Sequence, residues 1–157
     1  MLKYYNYDIV FAEIPKEVTL AINITNCPNR CVGCHSAYLQ EDIGVVLDEV
    51  ELRRIVELYS KDITCVCFMG GDAEPEAVEQ LSWFVRKQFP SLKTAWYSGR
   101  PALTDKVSTT SYHYIKIGGY DASKGPLNNP NTNQRLFSVA PSGEMTDITQ
   151  LFWRKGI

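Results

Sequence analysis

A chain of 157 residues is long enough to bury a real hydrophobic core as one unit, and its charged fraction of 22% is ordinary for a globular protein. A formal net charge of −2, with no Lys/Arg run, disfavours sequence-independent nucleic-acid binding, which needs a basic face to displace counterions from phosphates. No apolar run approaches the length of a membrane span, and Met1 to Asp8 lacks the basic and apolar regions of a signal peptide. The expectation is therefore a cytoplasmic protein of one domain, residues 1–157, with neither a nucleic-acid nor a membrane partner.

In chain order, Tyr4, Tyr5 and Tyr7 form an aromatic start that reads equally as an edge cluster or a docking surface. Val18 to Ile24 alternates apolar with polar or small residues and predicts a strand. It runs into a Pro-, Asn- and Gly-containing loop, Thr25 to His35. Asp48 is placed to cap a helix with Glu51 at the reciprocal capping-box position, and Leu52, Ile55, Val56 and Tyr59 fall on one face of it. Ile63 to Met69 is nearly all apolar, as suits a parallel strand covered on both faces, and ends in Gly70-Gly71-Asp72. Pro75 suits the first turn of a second helix, whose stripe is Val78, Leu81, Val85 and Phe89 and which Pro90 stops. Leu92 to Tyr97, Tyr112 to Ile117 and Arg135 to Ala140 predict three further strands, with a polar loop from Asp121 to Gln134. Strand, helix, strand, helix, strand is the pattern of a parallel α/β fold. The chain is too short for eight full barrel units, so the expected fold is α/β, an open partial barrel of about five mainly parallel strands.

Cys27, Cys31 and Cys34 put three thiols on the loop that follows the first predicted strand, at the edge of a parallel sheet where ligands bind. Thiolates are the usual ligands of iron–sulfur clusters. A cubane has four irons, so three cysteines leave one iron open to a small molecule; an electron-transfer cluster would want a fourth. Zinc is the rival occupant. It usually takes four ligands, and Cys65 or Cys67 would have to supply the fourth, because neighbours such as Cys34 and His35 seldom both reach one ion. Cys65 and Cys67 alternate around Val66 and read as buried packing. The odd total of five cysteines argues against a disulfide framework.

The Cys-x3-Cys-x2-Cys loop after the first strand resembles the hallmark of the radical S-adenosylmethionine (SAM) superfamily. The resemblance implies a [4Fe-4S] cluster on Cys27, Cys31 and Cys34. Its open iron would hold the amino and carboxylate groups of SAM, with reductive cleavage to a 5′-deoxyadenosyl radical. Glu13-Ile14-Pro15, the strand Leu20 to Ile24, and Cys27-Pro28-Asn29-Arg30-Cys31-Val32-Gly33-Cys34-His35 are similar to the activating-protein family of the anaerobic (class III) ribonucleoside-triphosphate reductase. Asn131 to Arg135 is similar to a later segment of that family. The family has Gly, where many superfamily members have an aromatic residue, before the third cysteine. This closer resemblance implies hydrogen abstraction from a glycine of the reductase, leaving a glycyl radical on that partner, with a reduced flavodoxin or ferredoxin as electron donor. Activation of another glycyl-radical enzyme is the alternative within the class, and a zinc-binding interaction module is the alternative outside it.

Gly70-Gly71-Asp72 resembles the superfamily's Gly-Gly-Glu motif, one methylene shorter at Asp72. The glycines would let backbone carbonyls approach the SAM ammonium; the alternative, compatible with it, is Asp72 as a carboxylate satisfying amides at a helix start. Gly33, Cys34 and His35 would line the adenine side. His35 reads equally as a partly exposed loop residue. Ser98, Gly99 and Lys116, at the ends of later strands, are placed to touch the ribose or carboxylate of SAM, but read mainly as turn residues and a snorkelling lysine. Asn133, Gln134 and Arg135 would shape the site or dock the partner on the strength of the resemblance alone.

Overall fold

The structure, a computed structural model, describes residues 1–29 and 37–153. In chain order the strands are β1 (Lys3–Val10), β2 (Thr19–Ile24), β3 (Val45–Val46), β4 (Cys65–Met69), β5 (Lys93–Tyr97), β6 (Tyr114–Ile117), β7 (Arg135–Val139) and β8 (Met145–Asp147). The helices are α1 (Glu49–Tyr59) and α2 (Pro75–Gln88), with 3-10 turns at Ala37–Gln40, Thr109–Ser111 and Thr149–Phe152. Among the described residues, no helix is long and apolar enough to cross a membrane.

Local chemistry explains both helices. The Asp48 carboxylate accepts from the Glu51 amide at 2.9 Å, satisfying one orphan donor of α1, a bond worth about 1 kcal/mol. Glu51 does not complete the reciprocal box; its carboxylate turns to Arg54 at 2.7 Å and to the Tyr4 hydroxyl. Pro75 opens α2, where its missing N–H costs nothing. Leu52, Ile55 and Val56 of α1 and Val78, Leu81 and Val85 of α2 are buried as their spacing predicts.

The eight strands form one open sheet in the order β3-β1-β2-β4-β5-β6-β7-β8. The expectation of about five mainly parallel strands is corrected. Among the described residues, only β2-β4, β4-β5 and β5-β6 pair in parallel; the other four pairings are antiparallel. The flanking strands are the ones sequence patterning missed, in whole or in direction. In β1 a register shift between Tyr4 and Asn6 breaks the alternation, β3 has only two residues, and β8 is mostly exposed and held by pairing with β7.

The parallel core is laid down in one direction, β2, β4, β5, β6. Right-handed crossovers in such a series deliver every helix to the same face. Accordingly, α1 and α2 share one apolar cluster with Leu20, Ile22, Ile24, Val66, Phe68, Trp96 and Ile115. Alternate residues point the other way, as strand geometry requires. Cys65, Cys67, Ala95, Tyr97 and Leu136 form a second cluster with Ile14, and Leu127, Ile148 and Phe152 pack against it. This second face is covered by connecting segments rather than helices.

Candidate functional site

The carboxyl ends of β2, β4, β5 and β6 surround a cavity. Its walls include Ile24 at the end of β2, Met69 and Gly70 after β4, Tyr97 and Gly99 at β5, and Lys116 and Tyr120 at and beyond β6. Cys27, Asn29, Asp72 and Gln134 also line it. Six residues singled out from sequence, Cys27, Gly70, Asp72, Gly99, Lys116 and Gln134, thus meet in one place. Cys31, Cys34, Gly33 and His35 lie outside the described residues.

Cys27 is partly exposed. Its amide donates to the Leu39 carbonyl at 2.9 Å, and the Asn26 amide donates to the Glu41 carbonyl at 3.1 Å. These two bonds fasten the start of the cysteine loop to the segment that returns from it.

The two glycines have separate reasons to be glycine. Gly70 has φ +110° and Gly71 has φ +88°, the region where a Cβ is strained. A Cβ on Gly71 would lie 2.5 Å from Val78 Cγ2, inside the packing of α2. On Gly70 the nearest atom would be the Ile24 carbonyl oxygen at 3.3 Å. Gly70 faces the cavity, and its carbonyl accepts from Trp96 Nε1 at 2.7 Å. A carbonyl has two lone pairs, so one remains beyond the Trp96 bond.

Asp72 is only 3% exposed. Its carboxylate accepts from Asn29 Nδ2 at 2.6 Å, Ser98 Oγ at 2.6 Å and the Gly99 amide at 2.8 Å. The amide it serves belongs to the loop after β5, so the alternative of a carboxylate at the start of α2 is corrected: Glu74 is the N-cap residue there, and its carboxylate makes no capping bond to the helix. Arg100 Nη2 donates to the Asp72 carbonyl at 3.0 Å. Lys116 is buried, with Nζ donating to the carbonyls of Ser98 at 3.0 Å and Gly118 at 2.9 Å, and it sits 5.1 Å from the centre of the Tyr97 ring. That is a desolvated ammonium held by dipoles and an aromatic face. It is more than the snorkelling surface lysine that sequence suggested.

Of the later segment, Gln134 is buried at the cavity, and Asn133 Nδ2 donates to the Gly119 carbonyl at 3.0 Å. Arg135 is not in the cavity wall. It lies 3.8 Å from Asp147 and 5.8 Å from the Trp153 ring centre, across the β7–β8 pair. Sequence reasoning did not assign Tyr97 or Tyr120 to the site, and it took in Asn29 only as part of the cysteine-loop resemblance, without its bond to Asp72.

Cys65 and Cys67 are fully buried in β4, in the second cluster. Burial, with Glu17 adding to it at Cys65, pushes both thiols well above the usual thiol range, so neither offers a thiolate near neutral pH. Among the described residues, no three His, Cys, Asp or Glu side chains gather as a metal site.

A separate polar cluster occupies the opposite, amino edge. Glu17 is 7% exposed and accepts from Thr64 Oγ1 at 2.7 Å, Lys93 Nζ at 2.8 Å and the Tyr114 hydroxyl at 2.7 Å. Burial opposes ionisation of Glu17, but the bonds from Lys93, Tyr114 and Thr64 outweigh it, and the carboxyl titrates below its ordinary value.

Comparison with family models, with curated proteins and with solved structures finds no match to this chain.

Proposed function

We propose that this chain is a radical SAM activase. In this reading Cys27, Cys31 and Cys34 hold a [4Fe-4S] cluster, and the substrate hydrogen comes from a glycine of an anaerobic ribonucleoside-triphosphate reductase. The observation that carries the reading is the meeting of Cys27 with Gly70, Lys116 and Gln134 at the carboxyl ends of parallel strands. The part of the sheet that suits it is the parallel core β2-β4-β5-β6; the antiparallel flanks do not match the partial barrel expected from sequence.

Of the three expected cluster ligands, Cys27 lies among the described residues. Cys27 is a partly exposed thiol at a cavity that is apolar along Ile24, Leu39 and Met69 and polar along Lys116 and Gln134. Cys27, Cys31 and Cys34 would hold the cluster, which would supply the electron for reductive cleavage of SAM to the radical that abstracts the glycine hydrogen. The chain's own residues do the rest. The free lone pair of the Gly70 carbonyl accepts from the substrate ammonium. The Lys116 ammonium sets a positive field at the end of β6 that favours a carboxylate. Ile24, Met69 and Tyr97 exclude water from the reacting groups.

The zinc-module alternative needs a fourth ligand. Cys65 and Cys67 are disfavoured for it by burial and raised thiol pKa. His113 is also committed elsewhere, its Nδ1 accepting from the Thr94 amide at 3.1 Å. The deciding experiment reconstitutes the protein anaerobically with iron and sulfide, reduces it, and records paramagnetic resonance with and without SAM. A cluster signal altered by SAM is expected. A colourless protein that binds zinc, or a cluster signal indifferent to saturating SAM, overturns the proposal. Adding the reductase then tests for a glycyl radical and separates it from other glycyl-radical partners.

A further inference from the structure

Three segments far apart in sequence converge on one carboxylate. Asn29 belongs to the cysteine loop, two residues beyond Cys27, and Asp72 follows β4. Ser98 and Gly99 follow β5. The Asn29–Asp72 bond spans 43 residues and the Ser98–Asp72 bond 26. A carboxylate offers about four lone-pair sites, and three are taken by donors at 2.6–2.8 Å. Hydrogen bonds to an ionised acceptor are the strong kind, and at 3% exposure water competes little for them.

The surroundings are shaped for this arrangement. A Cβ on Gly99 would stand 2.7 Å from Asn29 Nδ2 and 3.5 Å from Asp72 Oδ2. Glycine at position 99 is what leaves room for the Asn29 amide to reach the carboxylate. Ser98 is tied in turn to β6, its amide donating to the Lys116 carbonyl at 2.8 Å and its own carbonyl accepting from Lys116 Nζ at 3.0 Å. The Gly118 amide donates to the Arg100 carbonyl, and Arg100 returns to the Asp72 carbonyl. The ends of β4, β5 and β6 thus form one hydrogen-bonded rim, and Asn29 is the side chain by which the cysteine loop joins it.

We propose that Asp72 is a positioning residue that latches the cysteine loop to the end of β5 through Asn29, and that its carboxylate is not a ligand of the substrate ammonium. The second half rests on the radical SAM reading; the first half does not. The latch fixes where Cys27 stands relative to Gly70 and Lys116, and so acts on the substrate through the loop.

The test uses Asn29→Ala, Asp72→Asn and the double variant in the full chain, with two readouts. In the metal-free protein, the alkylation rate of Cys27 by iodoacetamide is followed by peptide mass spectrometry. Both single variants should raise it about tenfold, as loss of one hydrogen bond to a charged group implies, and the double variant should be no faster than Asp72→Asn. In the reconstituted protein, each single variant should weaken SAM binding by a similar factor of about ten, again without a further loss in the double variant. An unchanged Cys27 rate in Asn29→Ala overturns the latch. Loss of SAM affinity in Asp72→Asn with full affinity in Asn29→Ala makes Asp72 a direct ligand and also overturns it. Should Asp72→Asn not fold, Asn29→Ala and Ser98→Ala carry both arms. A wild-type protein that takes up no cluster sinks the functional reading instead, while the alkylation comparison still decides the latch.

Discussion

Gly71→Ala should destabilise the protein through two separable causes. The methyl would lie 2.5 Å from Val78 Cγ2, a distance that forces α2 or the loop to shift. Overpacking of this kind costs about 1–3 kcal/mol. A left-handed backbone, here φ +88°, adds about 1–2 kcal/mol for a residue with a Cβ. Together these amount to roughly 2–5 kcal/mol, a large part of the ~5–15 kcal/mol that holds a typical domain. At about 2–4 °C per kcal/mol for a chain of this size, the melting temperature should fall by roughly 4–20 °C. Urea unfolding of the metal-free protein measures the loss directly. The decisive comparison is with Gly71→Ala/Val78→Ala. Removing Cγ2 abolishes the clash and leaves the backbone term, so the double variant should be more stable than the sum of the single losses predicts, by about 1–3 kcal/mol. Strict additivity would refute the packing argument and leave the backbone conformation as the whole cost.

Glu17→Gln should cost roughly 1.5–3 kcal/mol, toward the lower end because Lys93 is half-exposed. Because the folded carboxyl titrates below its ordinary value, its contribution is present above the unfolded pKa of about 4.3 and is lost as pH falls through the lower folded value. Denaturation between pH 6 and pH 3 should show a shallower acid limb in Glu17→Gln, and identical limbs would remove Glu17 from the acid response. Cys27→Ala, Cys31→Ala and Cys34→Ala should each abolish iron binding, whereas Cys65→Ala and Cys67→Ala should retain it at some cost in core packing; iron analysis decides. In the folded protein Cys65 and Cys67 should resist alkylation until denaturant is added, and rapid labelling of either would contradict their burial. With deuterium at the partner's glycine α-carbon, the label should appear in 5′-deoxyadenosine; unlabelled product with fast turnover on a small metabolite would sink the activase assignment.

The parallel core was legible because each of its parts advertises itself locally. Cys65 to Met69 is an unbroken apolar run, Asp48 caps α1, and Pro75 opens α2. The antiparallel flanks were not, because their stability comes from partners. Val45 and Val46 form a strand only against Lys3 and Tyr4, and Met145 to Asp147 only against β7. At the site, residue types with a chemical signature, Cys27 and the Gly70-Gly71 pair, could be read. The Asn29–Asp72–Ser98 bonds could not, since no local pattern links residues 43 and 26 positions apart. Arg135 shows the reverse error. Its neighbour Gln134 enters the cavity, and strand alternation then sends Arg135 away from it.

The single direction of winding has a consequence during synthesis. Each parallel strand docks on one that has already left the ribosome, so β2, β4, β5 and β6 can assemble in the order they emerge. A nascent chain that has emerged only as far as Ile117 would expose β6 as a bare hydrogen-bonding edge, an invitation to intermolecular pairing. The β7–β8 hairpin covers that edge. The same stretch delivers Gln134 to the cavity and Leu136 to the packing beneath Tyr97. Shielding from aggregation and completion of the pocket therefore arrive together, and a ribosome stalled before residue 134 would hold a chain that is at once sticky and unfinished.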